Sequence, residues 1–217
     1  MMPLRILVVD DHAVVRRGVR SLLESEEGWK VCGEATTGRD AVDQSRRLRP
    51  DVVVMDLSLP ELNGLDATRQ ILKDAPDTEV LVLTMHHSEE LARDVLQAGA
   101  RGYVLKSDAD ENLITAVDRL RQHKPFLTST VTEFVLEDYV RHGAAALDDL
   151  GPVSVTARER EIIQLVAEGQ SNKEAASTLG ISVKTIEAHR ANLMRKLHLR
   201  SVSDLVRYAI RNNIVQA

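Results

Sequence analysis

Asp10, Asp11, Asp56, Thr84 and Lys106 are the side chains of this sequence whose types suit phosphoryl chemistry. Each stands at or just past the end of a short aliphatic run. In an open α/β sheet, ligands bind at the carboxyl ends of the strands. Three carboxylates brought together there repel one another and raise each other's pKa unless a cation lies among them. All-oxygen, carboxylate-rich ligation suits Mg²⁺, which keeps several of its waters. Such a cation offsets the negative charge and clamps a phosphoryl oxygen. One carboxylate can then act as nucleophile toward a phosphoryl donor, giving an aspartyl phosphate. Lys106 would balance phosphoryl charge, and Thr84 would donate a hydrogen bond to one of its oxygens. A single Asp at a strand end is usually a helix cap or a turn residue. The full set, spread over different strands, points to a site.

A second group lies toward the C-terminus. Ala176 is a small residue inside a helical segment, Gly180 follows four residues later, and Ile186 six after that. This is helix-turn-helix spacing: the small residue admits a second helix, the glycine makes the turn, and the aliphatic side chain faces inward. The second segment carries Lys184, Arg190, Arg195 and Lys196 against Glu187 alone. With Ile186, Leu193 and Leu197 inward, the residues Lys184, Glu187, Ala188, Ala191 and Arg195 share the opposite face. Small residues there admit base edges or thymine methyls, and Glu187 can accept from cytosine amino groups. Thr185, His189, Asn192 and Lys196 are expected against phosphate, where they set register. Charge alone would equally fit a solvated face.

The elements that must position these residues are legible in the apolar pattern. Aliphatic runs at 4–9, 30–35, 51–55, 79–84 and 102–105 alternate with helical spacing at 13–25, 38–48, 64–73, 89–98 and 110–122. Continuous runs such as Val52-Val53-Val54-Met55 suit strands covered on both faces. Five strands alternating with five helices predict a doubly wound, five-stranded parallel sheet with right-handed crossovers. Residues 152–217 instead show four helical segments, at 156–168, 172–179, 183–197 and 202–212, predicting a small all-α domain. Thr156 and Ser171 are expected N-caps, each with a glutamate three residues on, and Gly169 and Gly180 stand where helices should stop. Between them, 124–151 reads as a linker: Pro125 ends the preceding helix, 131–140 has the spacing of a short helix, and the stretch after Gly143 suits a tether. The expected domains are therefore 1–123 and 152–217, joined by 124–151.

The formal charge of −5 is unevenly spread. Residues 1–123 carry −6, residues 124–151 carry −3, and residues 152–217 carry +4. An acidic first part and a basic last part predict two tasks, the second on a polyanion. The apolar runs are far too short for a membrane helix, and no signal-like segment opens the sequence. Cys32 is the single cysteine, which excludes an internal disulfide framework and a cysteine-rich zinc site; it reads as a small buried residue beside a strand. A cytoplasmic protein with no membrane partner is expected.

Residues 4–122 resemble the receiver domain of two-component response regulators. The resemblance is carried by Ile6-Leu7-Val8-Val9-Asp10-Asp11-His12, by Val53-Val54-Met55-Asp56-Leu57-Ser58-Leu59-Pro60 with Asn63-Gly64, by Leu83-Thr84, and by Gly102-Tyr103-Val104-Leu105-Lys106. It implies a flavodoxin-like sheet, Asp56 as phosphoacceptor, and Mg²⁺ held by Asp11, Asp56 and the main-chain carbonyl of Ser58, with Asp10 acting through water. It also implies that Thr84 and Tyr103 form a switch pair beside Lys106, the phosphate partner. Tyr103 on its own also reads as a core ring. Residues 153–215 are similar to the LuxR-type DNA-binding domain of the NarL/FixJ subfamily. Here the motifs are Thr156-Ala157-Arg158-Glu159-Arg160-Glu161, Val166 to Lys173, and Thr185 to Leu197. Ala175 departs from the usual Ile, which loosens packing without changing the role.

Together the two resemblances imply a phosphorylation-controlled transcription factor, not an enzyme. Its partners would be a sensor histidine kinase, promoter DNA and a second copy of itself. Two other classes compete. A phosphatase of the haloacid-dehalogenase type wants an Asp two residues after the nucleophile, where this chain has Ser58. A regulator using its receiver only to dimerise would be expected to lack part of the acidic pocket, which this chain keeps.

Overall fold

A computed structural model describes residues 3–85, 88–128, 132 and 155–215. The chain divides into two units, the first centred on the sheet and the second on the C-terminal helices.

In the first unit, strands β1 (Leu4–Val9), β2 (Trp29–Ala35), β3 (Val52–Met55), β4 (Glu79–Thr84) and β5 (Gly102–Leu105) alternate with helices α1 (Ala13–Glu24), α2 (Gly38–Leu48), α3 (Gly64–Asp74), α4 (Glu89–Gln97) and α5 (Ala109–Leu120). All pairings are parallel and the strand order is β2-β1-β3-β4-β5, as the alternation predicts. The chain leaves β1 to one side for β2 and returns on the other for β3, so the topological switch lies between β1 and β3. Both sheet faces are dry. Ile6, Val8, Val52, Val54, Leu81, Leu83 and Val104 pack with Val19 and Leu23 of α1 and with Leu113, Ala116, Val117 and Leu120 of α5. The alternate residues Leu7, Val9, Val53, Met55, Val80 and Val82 are equally buried. Two covered faces explain why these strands read as unbroken aliphatic runs.

The sheet has one strand more than predicted. β6 (Phe126–Leu127) pairs in parallel with β5, setting Phe126 opposite Gly102 and Leu127 opposite Tyr103. The sequence reading assigns these residues to the linker, because a two-residue strand has no periodicity of its own. The open edge of β5 supplies the pairing. The short helix expected over 131–140 and the tether after Gly143 lie outside the described residues, Thr132 aside.

The second unit holds α6 (Ala157–Ala167), α7 (Asn172–Leu179), α8 (Val183–Lys196) and α9 (Val202–Arg211). Every one of these helices opens on a hydroxyl cap: Thr156, Ser171, Ser182 and Ser201. Thr156 with Glu159, and Ser171 with Glu174, close both hydrogen bonds of a capping box, as the spacing predicts. Gly180 ends α7 at φ 64°, a conformation that costs a residue with a Cβ about 1 kcal/mol or more. Ile162, Ile163, Leu165, Ala176, Ile186, Leu193, Leu205 and Ala209 form the core. Arg158 donates to the Leu179 carbonyl at 2.9 Å, satisfying an acceptor at the end of α7 that the helix leaves open.

Candidate functional site

The acidic site follows from strand register. Val9 and Met55 are paired at the last rungs of β1 and β3, and the Asp56 N–H donates to the Val9 carbonyl at 2.9 Å. The next residues, Asp10 and Asp56, therefore stand side by side, each about 2% exposed. Lys106, the first residue after β5, places Nζ 2.7 Å from Asp10 Oδ2 and 2.9 Å from Asp56 Oδ2. Asp10 Oδ1 accepts the His12 N–H at 2.8 Å. Asp11 is more open, and its Oδ1 lies 2.6 Å from His12 Nδ1. One ligand atom each from Asp10, Asp11, His12 and Asp56 lie within 4.8 Å of one another. His12 is the member to which sequence reasoning gave no role. Its adjacency to two aspartates was the available signal. Thr84 and Tyr103 are both buried, Tyr103 to 1% exposure, so its ring is turned into the protein. That burial pushes its hydroxyl up to about 12.

The electrostatics are those of a pocket short of positive charge. Burial pushes the Asp56 carboxyl upward and Asp10 adds to it, while Lys106 opposes both. For Lys106 burial works against the ammonium, but the two aspartates outweigh it and hold its pKa above the ordinary value. Both Asp56 oxygens and Asp10 Oδ2 are buried without a hydrogen bond of good geometry; Lys106 stands beside the two Oδ2 atoms as a point charge, and the Ser58 main chain also favours the ionised Asp56. Buried, under-satisfied carboxylate oxygens at the end of a strand pair suit a hard cation. The loop after Asp56 is held by a close approach. A Cβ on Gly64 would lie 1.9 Å from the Asp56 carbonyl oxygen, and the Gly64 N–H donates to Leu57 at 3.0 Å. Only glycine lets α3 begin this near the phosphoacceptor candidate.

In the second unit, α7 and α8 are joined by three residues in the predicted hairpin. Ala176, Ile186 and Leu193 face the core, and Leu197 packs against it. Lys184, Thr185, Glu187, Ala188, Ala191, Asn192 and Arg195 are exposed along one stripe of α8; His189 and Lys196 are half-buried at its flanks. Val183, 40% exposed at the start of α8, belongs to the same end of the helix and was not singled out in the sequence. Several of the basic and polar residues have protein partners, Thr185 Oγ1 among them, 2.7 Å from Ser182 Oγ. Lys196 Nζ lies 2.7 Å from Glu159 Oε2, Arg190 donates to Asn172, and Arg195 donates to Asn192. Burial works against the Glu159 carboxylate, but Lys196 and the Thr156 N–H and hydroxyl together hold its pKa below the usual range.

Two family models match the chain. The response regulator receiver domain matches residues 6–118, and the luxR family of bacterial regulatory proteins matches residues 153–209. The chain belongs to the LuxR-type response regulators. The regulator is 40% identical over 98% of its length, and 100% of the relative's, to the oxygen regulatory protein NreC of Staphylococcus epidermidis, and 36% identical to that of Staphylococcus aureus. Among solved structures it is similar to a LuxR-family two-component regulator from Aurantimonas sp., with 36% identity and a TM-score of 0.60 over 64% of this chain and 99% of that one. A complex of the regulator RcsB with DNA matches over 97% of this chain and 98% of that one, with 28% identity and a TM-score of 0.60. The regulator is thus a phosphorylation-controlled DNA-binding protein rather than an enzyme. No described helix of the regulator is long and apolar enough to cross a membrane.

Proposed function

We propose that Asp56 accepts a phosphoryl group from a sensor histidine kinase, and that this phosphorylation sets how α8 engages promoter DNA, with two copies bound together. The carrying observation is the pair of buried carboxylates, Asp10 and Asp56, bridged by Lys106 in a chain that also bears an exposed helix-turn-helix face. A carboxylate oxygen of Asp56 attacks phosphorus, the bond to the donor's nitrogen breaks, and that nitrogen keeps the electron pair. Lys106 then takes the phosphoryl oxygens as counter-charge, with the Thr84 hydroxyl as donor. Asp10, Asp11, Asp56 and the Ser58 carbonyl would hold Mg²⁺, and the donor set of oxygens fits that choice. When bound, the ion supplies charge neutralisation for the acidic pocket and the incoming group. Val14 at 76% exposure and Met85 at 69% stand in the first turn of α1 and just past the end of β4. Exposed apolar residues near these strand ends suit a protein phosphodonor. The kinase and promoter partners set the working compartment as the cytoplasm.

On the DNA side, Lys184, Glu187, Ala188, Ala191 and Arg195 read base edges, and Thr185, His189, Asn192 and Lys196 meet phosphate. One reading helix is small, so a two-fold pair on a pseudo-palindrome supplies tight binding. Coupling runs through Thr84 and the inward Tyr103, a two-state element biased by charge at Asp56. Intact-mass analysis with a small phosphodonor and Mg²⁺ tests the first step: one acid-labile phosphoryl group is expected, and none on Asp56→Asn. Thr84→Ala should keep the label while losing the gain in dimer fraction and DNA affinity. Equal labelling of wild type and Asp56→Asn would overturn the assignment.

A further inference from the structure

Arg16, on α1 and one turn past the acidic pair, reaches back beneath it. Its side chain is 15% exposed, and Nη1 donates to the main-chain carbonyl of Asp10 at 2.8 Å. Nε lies 3.4 Å from Oε2 of Glu34 on β2. The Asp10 N–H donates to Ala35, the last residue of β2, at 3.2 Å. The peptide groups on both sides of Asp10 are therefore anchored to β2, one directly and one through the Arg16–Glu34 pair. The carbonyl that Arg16 holds belongs to the peptide joining Asp10 to Asp11, so this bond fixes the plane from which the Asp11 side chain departs. Charge is handled as well. A bare guanidinium so near the pocket would repel a cation, but Glu34 stands against it; Glu34 also takes Arg20 Nη1 at 2.8 Å, and Arg20 has Glu24 at 3.0 Å besides, so two guanidiniums face two carboxylates. The hydrogen bond reaches the pocket with much of the positive charge offset.

We propose that Arg16, backed by Glu34, is a positioning residue of the acidic site: it orients the Asp10–Asp11 peptide so that both carboxylates meet a divalent cation together. This rests on the reading of the pocket as a metal-assisted phosphoacceptor site. Partners one step behind ligands typically change metal affinity by about 10–100-fold. The test is a Mn²⁺ titration of the full chain followed by electron paramagnetic resonance, with Mn²⁺ standing in for Mg²⁺, alongside thermal unfolding without metal. Arg16→Met should raise the Mn²⁺ Kd about tenfold, the low end of that range. Arg16→Lys, which retains a donor long enough to reach the carbonyl, should recover most of the loss. Glu34→Gln should weaken binding by less, with the deficit growing at low salt as the uncompensated guanidinium repels the cation. An unchanged Kd in Arg16→Met, whatever its thermal stability, overturns the role. Equal losses in Arg16→Met and Arg16→Lys do the same, because a merely structural defect would not be rescued by a donor. Should Arg16→Met not fold, Arg16→Gln with one amide donor replaces it under the same criteria. Asp11→Asn separates the two readings: if it binds Mn²⁺ as wild type does, the metal site is misassigned, whereas loss in Asp11→Asn without loss in Arg16→Met removes only the role of Arg16.

Discussion

The ammonium of Lys106 lies 2.9 Å from the Asp56 carboxylate, and the same Nζ also reaches Asp10 at 2.7 Å. One cation from the end of β5 thus ties together the ends of β1 and β3, and it is what makes two neighbouring buried carboxylates tolerable. Lys106→Met should lower metal-free stability by about 3–5 kcal/mol, because breaking a buried pair leaves uncompensated charge. Mg²⁺ should return part of that loss by binding the native state alone. Urea unfolding with and without Mg²⁺ measures both. A variant as stable as wild type in the absence of metal would show that Lys106 does not hold the pocket.

Lys196 bears on the DNA-binding reading. Its ion pair with Glu159, at 2.7 Å, commits it to the N-terminus of α6 in the free protein. Contact with a phosphate must share or break that pair. Glu159→Gln should therefore strengthen binding to random duplexes at low salt. Lys196→Ala should flatten the salt slope by about one unit on every sequence. Glu187→Ala should behave differently, shifting sequence preference by about 1–3 kcal/mol at particular positions. Fluorescence titrations over a salt series separate these effects. Indistinguishable slopes for wild type and Lys196→Ala would place Lys196 off the phosphate backbone.

Acid should loosen the C-terminal unit. Glu159, Glu174 and Asp204 each accept from the hydroxyl cap of their own helix, and all three are held below the ordinary carboxylate range. For Glu174 and Asp204 the leading cause is the Ser171 and Ser201 hydroxyl; for Glu159, Lys196 and Thr156 overcome burial. A carboxylate with a depressed folded pKa stabilises the fold above its unfolded value and loses that contribution as pH falls through the folded value. Stability of a fragment spanning 151–217 should thus decline below about pH 4.3, the ordinary Glu value. Thermal unfolding against pH should show this, and the triple Gln/Gln/Asn variant should have a flatter profile. The effect is small for Glu174 and Asp204, which are near solvent.

The last helix divides its apolar residues between two faces. Leu205 and Ala209 are buried, whereas Val202 is 48% and Ile210 38% exposed, with Val206 half-buried between them. Residues 202, 206 and 210 share one stripe, which fits a second copy better than water. Ile210→Glu should keep the helical circular dichroism of the domain and lower affinity for a two-half-site duplex at least about tenfold, since a charge would be buried in the pair. Affinity for a single half-site should be unchanged. Equal loss on both duplexes would point to misfolding or to a different dimer surface.

Most of the receiver pocket was legible because its residues sit at strand ends, and strand ends are marked by the stop of an aliphatic run. Asp10, Asp56, Thr84 and Lys106 could be placed on one edge by that rule alone. Arg16 was not, because an arginine on an amphipathic helix has no local signature; only the fold buries it under the Asp10 carbonyl. The α8 stripe was legible from helical periodicity, while the engagement of Lys196 by Glu159, 37 residues earlier, was not. Partition of the α9 residues also needed the packed structure, since five aliphatic side chains on ten residues fit either face.

The two residues of β6 have a consequence for how the receiver is handled alone. An unpaired parallel edge offers its N–H and C=O groups to any other chain, a recognised route to self-association. Phe126 donates to the Arg101 carbonyl at 2.9 Å, and Phe126 and Leu127 lie along Gly102 and Tyr103, so the strand bearing Tyr103 is not the outermost one. A receiver cut at residue 123 would bare that strand and leave Phe126's place on the core open. It should scatter light and self-associate with rising concentration, while one cut after Thr128 should sediment as a single species before phosphorylation. The terminal pair thus acts as a colloidal safeguard, keeping the sheet from being extended by a stranger.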